Sequence, residues 1–214
     1  INLVTLAIVV TTLYGIVVFR RLPRSLKYFC WFLFLSGATE VASKILFIQK
    51  INNLPLLHLY VAGGFICLVL FYEAVLDGFI EKRIIRGIMM IFLVFTVANS
   101  IFFQPVTTFN SYALIAECIG VVIFALTTYF VMMDDVVKSK RQELMPSLNW
   151  INSGLFIYYS SSLIIFYCQS FLDSDRLFRF FPKHYTLQTW MLHAFFSLVM
   201  YSFFFAGLLK RPKY

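Results

Sequence analysis

The sequence predicts an all-α integral membrane bundle: a single domain over residues 1–214 with seven transmembrane helices, the N-terminus outside and the C-terminus cytoplasmic. Three observations lead to this. Hydrophobic residues make up 61% of the 214 positions and charged residues only 13%, whereas about 25% of a soluble domain is charged. Apolar runs of about 20 residues, enough to cross a bilayer, recur seven times. Basic residues concentrate in alternate breaks between these runs.

The seven runs are separated by short loops, so the chain has no room for a built-in kinase, cyclase or DNA-binding output domain. The first run is interpreted as a span rather than a signal peptide, because it lacks a basic leader and a small-residue cleavage site. In chain order the predicted spans are Ile1–Phe19, Tyr28–Ile48, Leu56–Leu76, Ile84–Phe103, Tyr112–Met133, Leu148–Leu172 and Leu187–Leu209.

The net charge of +8 would suggest nucleic acid in a soluble protein, but here its distribution indicates membrane orientation. Thirteen of the 18 basic residues fall in the odd-numbered loops and after span seven. The positive-inside rule then makes these loops cytoplasmic. The thirteen are Arg20, Arg21, Arg24, Lys27, Lys82, Arg83, Arg86, Lys138, Lys140, Arg141, Lys210, Arg211 and Lys213. Nucleic acid is therefore not an expected partner, whereas membrane lipids are.

A histidine inside the last apolar run raises the question of function. His193 belongs to a polar stripe, Thr186, Thr189, His193, Ser197 and Tyr201, spaced three or four residues apart along one helical face. At about 1.5 Å per residue, several polar groups of other spans fall in the same outer half of the membrane. Intramembrane charges usually face a bundle interior. The predicted ligand-binding residues, lining one outward-open cavity, are Glu40, His58, Asn99, Glu117, Ser160, His193 and Ser197.

Structural roles are open alternatives for several of these residues. Glu40 and Lys44 form an i,i+4 pair that could neutralise itself, and His58 at a helix end could cap that helix. His193 could bond a neighbouring helix, and the serines could bond preceding carbonyl groups of their own helix. Glu73, near the cytoplasmic surface, is expected to be solvated there.

Cofactor chemistry is left open by the residue types. Glu40, His58, Glu117 and His193 form an alternative metal set, because imidazole and carboxylate groups suit zinc. The spacing is not diagnostic, since the chain has no His-Glu-x-x-His sequence. Retinal is disfavoured because span seven has no interior lysine. The four cysteines all fall within spans and are interpreted as small apolar residues rather than disulfides.

Three stretches resemble a little-characterised family of small seven-span proteins of Bacteroidota, whose members are often encoded beside sensor histidine kinases. They are "NNLPLLHLY" (52–60), "WINSGLFIYYS" (150–160) and "WMLHAFF" (190–196). The resemblance implies a multi-pass protein of the bacterial inner membrane with a sensing role and a histidine kinase partner, and it implies no catalytic residue. The bundle also resembles the ceramidase-related and adiponectin-receptor hydrolases, but the His-x-x-x-His of their last span is missing here.

These observations favour a sensor or receptor module over an enzyme, and they predict that it binds a small molecule or ion and signals through a partner protein. Two alternatives remain open at this stage. One is a metal-dependent intramembrane hydrolase, and the other is a small-solute or proton-coupled transporter.

Overall fold

The structure is a computed structural model that describes residues 2–134, 141–172 and 184–212, with side chains over 3–134, 141–167 and 189–212. These residues form seven α-helices and no β-strand. A 3₁₀ turn at Phe19–Arg21 follows α1, and a π-helical turn at Asn99–Phe103 continues α4. The helices are α1 Asn2–Val18, α2 Arg24–Ile48, α3 Leu54–Val75, α4 Lys82–Ala98, α5 Ser111–Met133, α6 Met145–Leu172 and α7 His184–Leu209.

The expectation of an all-helical membrane protein is confirmed. Among the described residues, six helices are long and apolar enough to cross a membrane, and α6 is not one of these six. The helix α6 carries the run from Tyr158 to Ser162 along with Asn149 and Asn152, and the side chains at its end, after residue 167, lie outside the described part of the chain. Some of the residues used for the sequence predictions lie outside the described parts: Lys138, Lys140, Lys213 and the side chains of Cys168 and Thr186.

Several helices begin three or four residues before the predicted spans, and prolines explain two of these differences. Pro23 precedes α2 in an extended conformation (φ −64°, ψ 162°), so α2 begins at Arg24 rather than at Tyr28. Pro146 is the second residue of α6, where the missing N–H costs no hydrogen bond. The amphiphilic first turns of these helices are thus part of the helix although they are not part of the apolar run.

Six helices form a closed ring, in which each packs mainly against two others. The order around the ring is α1, α2, α3, α5, α6 and α7, and α7 returns to contact α1. The helix α4 lies outside this ring against α3 and α5. The ring encloses one interior, and side chains that are distant in the chain can meet there.

The end of the ring where α2, α4 and α6 begin is named the basic end. Near this end, the interior is filled by aromatic rings of α2, α3 and α7. The Phe29 ring centroid lies 4.8 Å from that of Phe204 and 5.8 Å from that of Phe71, and all three side chains are fully buried. Tyr72 donates to Asn152 Oδ1 at 3.1 Å, and Asn152 Nδ2 donates to the Ala125 carbonyl at 3.0 Å. The basic half of the interior is therefore densely packed.

Glycines allow α6 and α7 to approach closely. A Cβ atom on Gly207 would lie 2.6 Å from Ile151 Cγ1 and 3.1 Å from the Ser147 carbonyl oxygen. A Cβ atom on Gly154 would lie 2.9 Å from Phe203 Cβ. Small residues at such contacts let transmembrane helix backbones pack against one another, so this pair of helices depends on both glycines.

Replacing Gly207 with alanine should lower the free energy of unfolding by about 1–3 kcal/mol, the usual cost of overpacking. Unfolding in mixed detergent micelles, followed by circular dichroism, measures the change. Gly87→Ala is the matched control, because no atom lies within 4 Å of a Cβ atom at that position. Equal stability of the two variants would show that α6 and α7 do not need this close contact.

Candidate functional site

The carboxylate of Glu117 lies inside the ring. Glu117 is on α5 and is 2% exposed, and Tyr159 of α6 donates a hydrogen bond to its Oε1 at 3.1 Å. Gly64 of α3 lies beside the group, since a Cβ atom there would be in van der Waals contact with Glu117 Oε1 at 3.6 Å. An ionisable group so placed is expensive in a membrane and usually marks a functional site.

His193 is bonded to the residue next to Tyr159. Its Nε2 lies 3.0 Å from the Tyr158 hydroxyl, and its ring is 6.0 Å from that of Trp190 and 5.5 Å from that of Phe166. The rings of Tyr158 and Tyr159 contact each other edge to face at 5.1 Å. Two consecutive tyrosines of α6 thus connect the carboxylate on α5 with the imidazole on α7.

Two further tyrosines complete a group that is named here the tyrosine cluster: Tyr60, Tyr158, Tyr159 and Tyr201. The phenol of Tyr60 lies within electrostatic range of Tyr158, Tyr201 and Glu117. The Ser36 hydroxyl donates to the Phe32 carbonyl at 2.9 Å and lies 3.2 Å from the Tyr60 hydroxyl. Because the single proton of Ser36 is used, Tyr60 is the donor in that contact.

The side chain of Glu40, a residue of α2, faces α1. Thr5 donates to Glu40 Oε1 at 2.7 Å and accepts from Lys44 Nζ at 2.8 Å, and the Lys44 and Glu40 charges are 3.6 Å apart. The self-neutralising i,i+4 alternative therefore describes this pair, with Thr5 joining it to α1. Glu40 also interacts electrostatically with Tyr201, which relates it to the tyrosine cluster.

His58 joins α3 to the connection between α4 and α5. Its Nδ1 lies 2.8 Å from Ser100 Oγ, and its Nε2 lies 3.1 Å from the Thr108 carbonyl oxygen. A carbonyl can only accept, so Nε2 carries a proton. Ser100 has one proton and two acceptors, Nδ1 and the Thr96 carbonyl at 2.9 Å.

Asn99 belongs to a separate hydrogen-bond network of side-chain amides at the same connection between α4 and α5, which is named here the α4–α5 joint. Its Nδ2 donates to Gln104 Oε1 at 3.1 Å and to Asn110 Oδ1 at 2.8 Å. The backbone N–H of Tyr112 donates to Gln104 Oε1, which fixes the orientation of that amide and, through it, the other two. Asn99 Oδ1 and Asn110 Nδ2 consequently remain buried without a partner among the described residues.

Five of the seven predicted ligand-binding residues fall into three groups. Glu117 and His193 meet through the tyrosine cluster, Glu40 lies beside it on the α1 and α2 side, and His58 and Asn99 belong to the α4–α5 joint. Ser160 is half-buried on α6, and Ser197 donates to the His193 carbonyl of its own helix at 2.9 Å. Whether these side chains bind a ligand stays a prediction.

The residues of the alternative metal set each have a different partner. Tyr159 bonds Glu117, Tyr158 bonds His193, Ser100 bonds His58, and Thr5 bonds Glu40. Within the described part of the chain, no three or more His, Cys, Asp or Glu side chains come together as ligands for a metal ion. The geometry therefore gives this alternative no support. Cys30 and Cys118 are buried free thiols, and Cys67 is a partly buried one.

Glu73 corrects one sequence-based expectation. It is 6% exposed rather than solvated, and Arg86 donates to both of its carboxylate oxygens at 2.8 Å. The apolar periodicity of α3 and α4 carried no signal for this pair. The two tyrosines of α6 were visible in the sequence only as part of a polar run, and their partners on α5 and α7 were not predicted.

Replacing His58, which is 5% exposed, with phenylalanine should lower the free energy of unfolding by about 1–3 kcal/mol, because the hydrogen bonds of its ring with Ser100 and the Thr108 carbonyl are both lost. Leu59→Phe is the control, because Leu59 is 71% exposed and the same ring is introduced one position away. Denaturant titration in detergent compares the two variants. If both unfold together with the unmodified protein, the His58 contacts do not stabilise the joint.

In comparisons with protein-family models, curated proteins and solved structures, no match to this chain was found. The inference of function therefore depends on the side-chain geometry of the chain itself.

Proposed function

We propose that the protein is a seven-span sensor of a bacterial inner membrane, with its N-terminus outside and its C-terminus in the cytoplasm. A small molecule or ion binds at the tyrosine cluster together with Glu117 and His193. The bound state is passed to a partner protein such as a histidine kinase.

The orientation is supported by the charges of the described residues. The basic end carries Arg20, Arg21, Arg24, Lys27, Lys82, Arg83, Arg86, Arg141, Lys210 and Arg211. The opposite end, around the α2–α3 and α4–α5 connections, carries Lys50. Cytoplasmic loops of membrane proteins have such an excess of Lys and Arg. With the helix α6 included as a span, seven crossings put the two termini on opposite sides.

The single observation that carries the binding proposal is the bonded path Glu117–Tyr159 and Tyr158–His193. It brings an acid from α5 and an imidazole from α7 to consecutive residues of α6. Each of these groups can exchange its present partner for a polar group of a ligand or for a proton. A histidine also suits a response to pH, because its charge changes when it binds a proton.

The proposed mechanism is a population shift. A ligand that binds one packing of α5, α6 and α7 better than another moves the equilibrium by its differential affinity. The close contact of α6 with α7 at Gly207 lies towards the basic end, so a relative movement of these two helices changes the surface there. A partner protein that binds this surface would then respond to the movement of the helices.

Trp190 provides an intrinsic probe of the site, because its ring lies 6.0 Å from that of His193. In a Trp31→Phe, Trp150→Phe background reconstituted in vesicles, lowering the outer pH from about 7.5 to about 3.5 should change Trp190 emission, since protons are the simplest ligand for a histidine and burial disfavours the charged ring. His193→Gln should remove this change, and Glu117→Gln should shift its midpoint. Ser202→Ala, on the exposed side of α7, is the matched control and should leave it intact.

Several outcomes contradict the proposal. An unchanged response in both His193→Gln and Glu117→Gln would remove these residues from any sensing role. Uptake of a solute into the vesicles under a pH gradient, lost in the same variants, would establish a transporter instead. Stoichiometric zinc in the purified protein, lost together in Glu40→Ala and His193→Ala, would establish the metal-dependent alternative.

Fusions at the C-terminus test the orientation. A green fluorescent protein fused after residue 214 should fluoresce, and an alkaline phosphatase at the same place should be inactive, because the positive-inside rule puts this end in the cytoplasm. The reverse pattern would invert the proposed topology. Fusions in the α4–α5 connection should give the opposite result and serve as the internal control.

A further inference from the structure

We propose a second binding site, for a phosphate group, at the basic end of the bundle. A cavity of about 280 Å³ lies there between the starts of α2 and α4, the end of α3 and the segment before α6. Its lining includes three basic residues and two acidic residues. These are Arg24, Lys82 and Arg141, with Glu73 and Asp77.

The cavity has an excess of positive charge, because basic side chains outnumber acidic ones there and both acidic groups are already paired. Arg86 holds both oxygens of Glu73 at 2.8 Å, and Lys82 Nζ lies 3.1 Å from Asp77 Oδ1. The ion pairs among the described residues do not include Arg24 or Arg141. With Arg86 counted, four cationic side chains face two anionic ones.

The main chain adds to this positive field. The helices α2 and α4 begin at the cavity, with Arg24 and Lys82 as their first residues. Neither N-cap residue, Pro23 or Glu81, makes a side-chain cap hydrogen bond, so N–H groups of the first turns lack that partner. Such N-termini carry partial positive charge and favour anions.

The carbonyl groups at the C-terminal end of α3, which carry partial negative charge, are hydrogen-bonded within the same cavity. Arg141 donates to the carbonyl groups of Val75 and Asp77, which close α3. These two bonds hold the Arg141 guanidinium against the cavity wall. The carbonyl oxygens that would repel an anion are thereby occupied, while the charge of Arg141 remains at the cavity.

The donor types fit a phosphate group better than a carboxylate. A tetrahedral phosphate accepts hydrogen bonds from several directions, and arginine forks bind it in bidentate fashion. The guanidinium of Arg24 donates to the Tyr28 hydroxyl from Nε at 3.2 Å and from Nη2 at 3.1 Å, which fixes its orientation. Ser25 adds a hydroxyl within the cavity, and it is only 6% exposed. The position at the end of the spans suits the headgroup of an anionic lipid as well as a soluble phosphate compound.

Native mass spectrometry of the detergent-purified full chain tests the site. Incubated with equal amounts of phosphatidylglycerol and phosphatidylcholine, the protein should retain phosphatidylglycerol in preference. Arg24→Gln should bind it about tenfold more weakly, the effect of one charge-assisted contact, and Arg24→Lys should recover part of the loss. Arg21→Gln removes the same charge from an exposed position outside the cavity and should bind as the unmodified protein does.

Arg141→Gln gives a second, independent measurement of phosphatidylglycerol binding, which should again be weaker. Thermal unfolding without lipid shows whether that variant is folded. Inorganic phosphate distinguishes the source of the ligand, with acetate as a carboxylate control. Phosphate that displaces phosphatidylglycerol supports a site open to soluble compounds, and binding of phosphatidylglycerol alone supports a lipid headgroup site. Binding of neither, equal loss in Arg21→Gln and Arg24→Gln, or equal displacement by acetate would overturn the proposal.

Discussion

The hydrogen bonds between helices are the interaction on which this structure depends, because lipid offers no partner to a polar side chain. Glu117 bonds α6 from α5, and His193 bonds it from α7. Tyr72 bonds it from α3 through Asn152. The helix α6 is thus the polar centre of the ring, which explains why a segment with the Tyr158–Ser162 run is placed between two helices rather than towards lipid.

The two halves of the interior have different chemistry, and this bears on mechanism. One half contains the tyrosine cluster, and the other is filled by Phe29, Phe71 and Phe204. A packed aromatic layer resists the passage of a solute but transmits displacement, since protein interiors are dense and shift as units. The aromatic layer lies between the tyrosine cluster and the charged cavity at the basic end.

The sequence could predict the helices, the inward face of His193 and the burial of Cys30 and Cys118, because these follow from local periodicity. It could not predict which side chains meet. His58 and Ser100 are 42 positions apart, and Tyr159 and Glu117 are also 42 apart, so their contacts depend on the order of helices around the ring. The Glu40–Lys44 pair was predictable because both residues lie on one helix. The Glu73–Arg86 pair was not, because it crosses the turn between α3 and α4.

The contact between the first and last helices has a consequence for biogenesis. Arg211 donates to the Tyr14 hydroxyl and lies over its ring, and Thr11 donates to the Tyr201 carbonyl. Because α1 and α2, joined through Thr5, are synthesised before α7, the contacts between α1 and α7 form only after α7 has been made. The interior is sealed only when synthesis of that segment is complete.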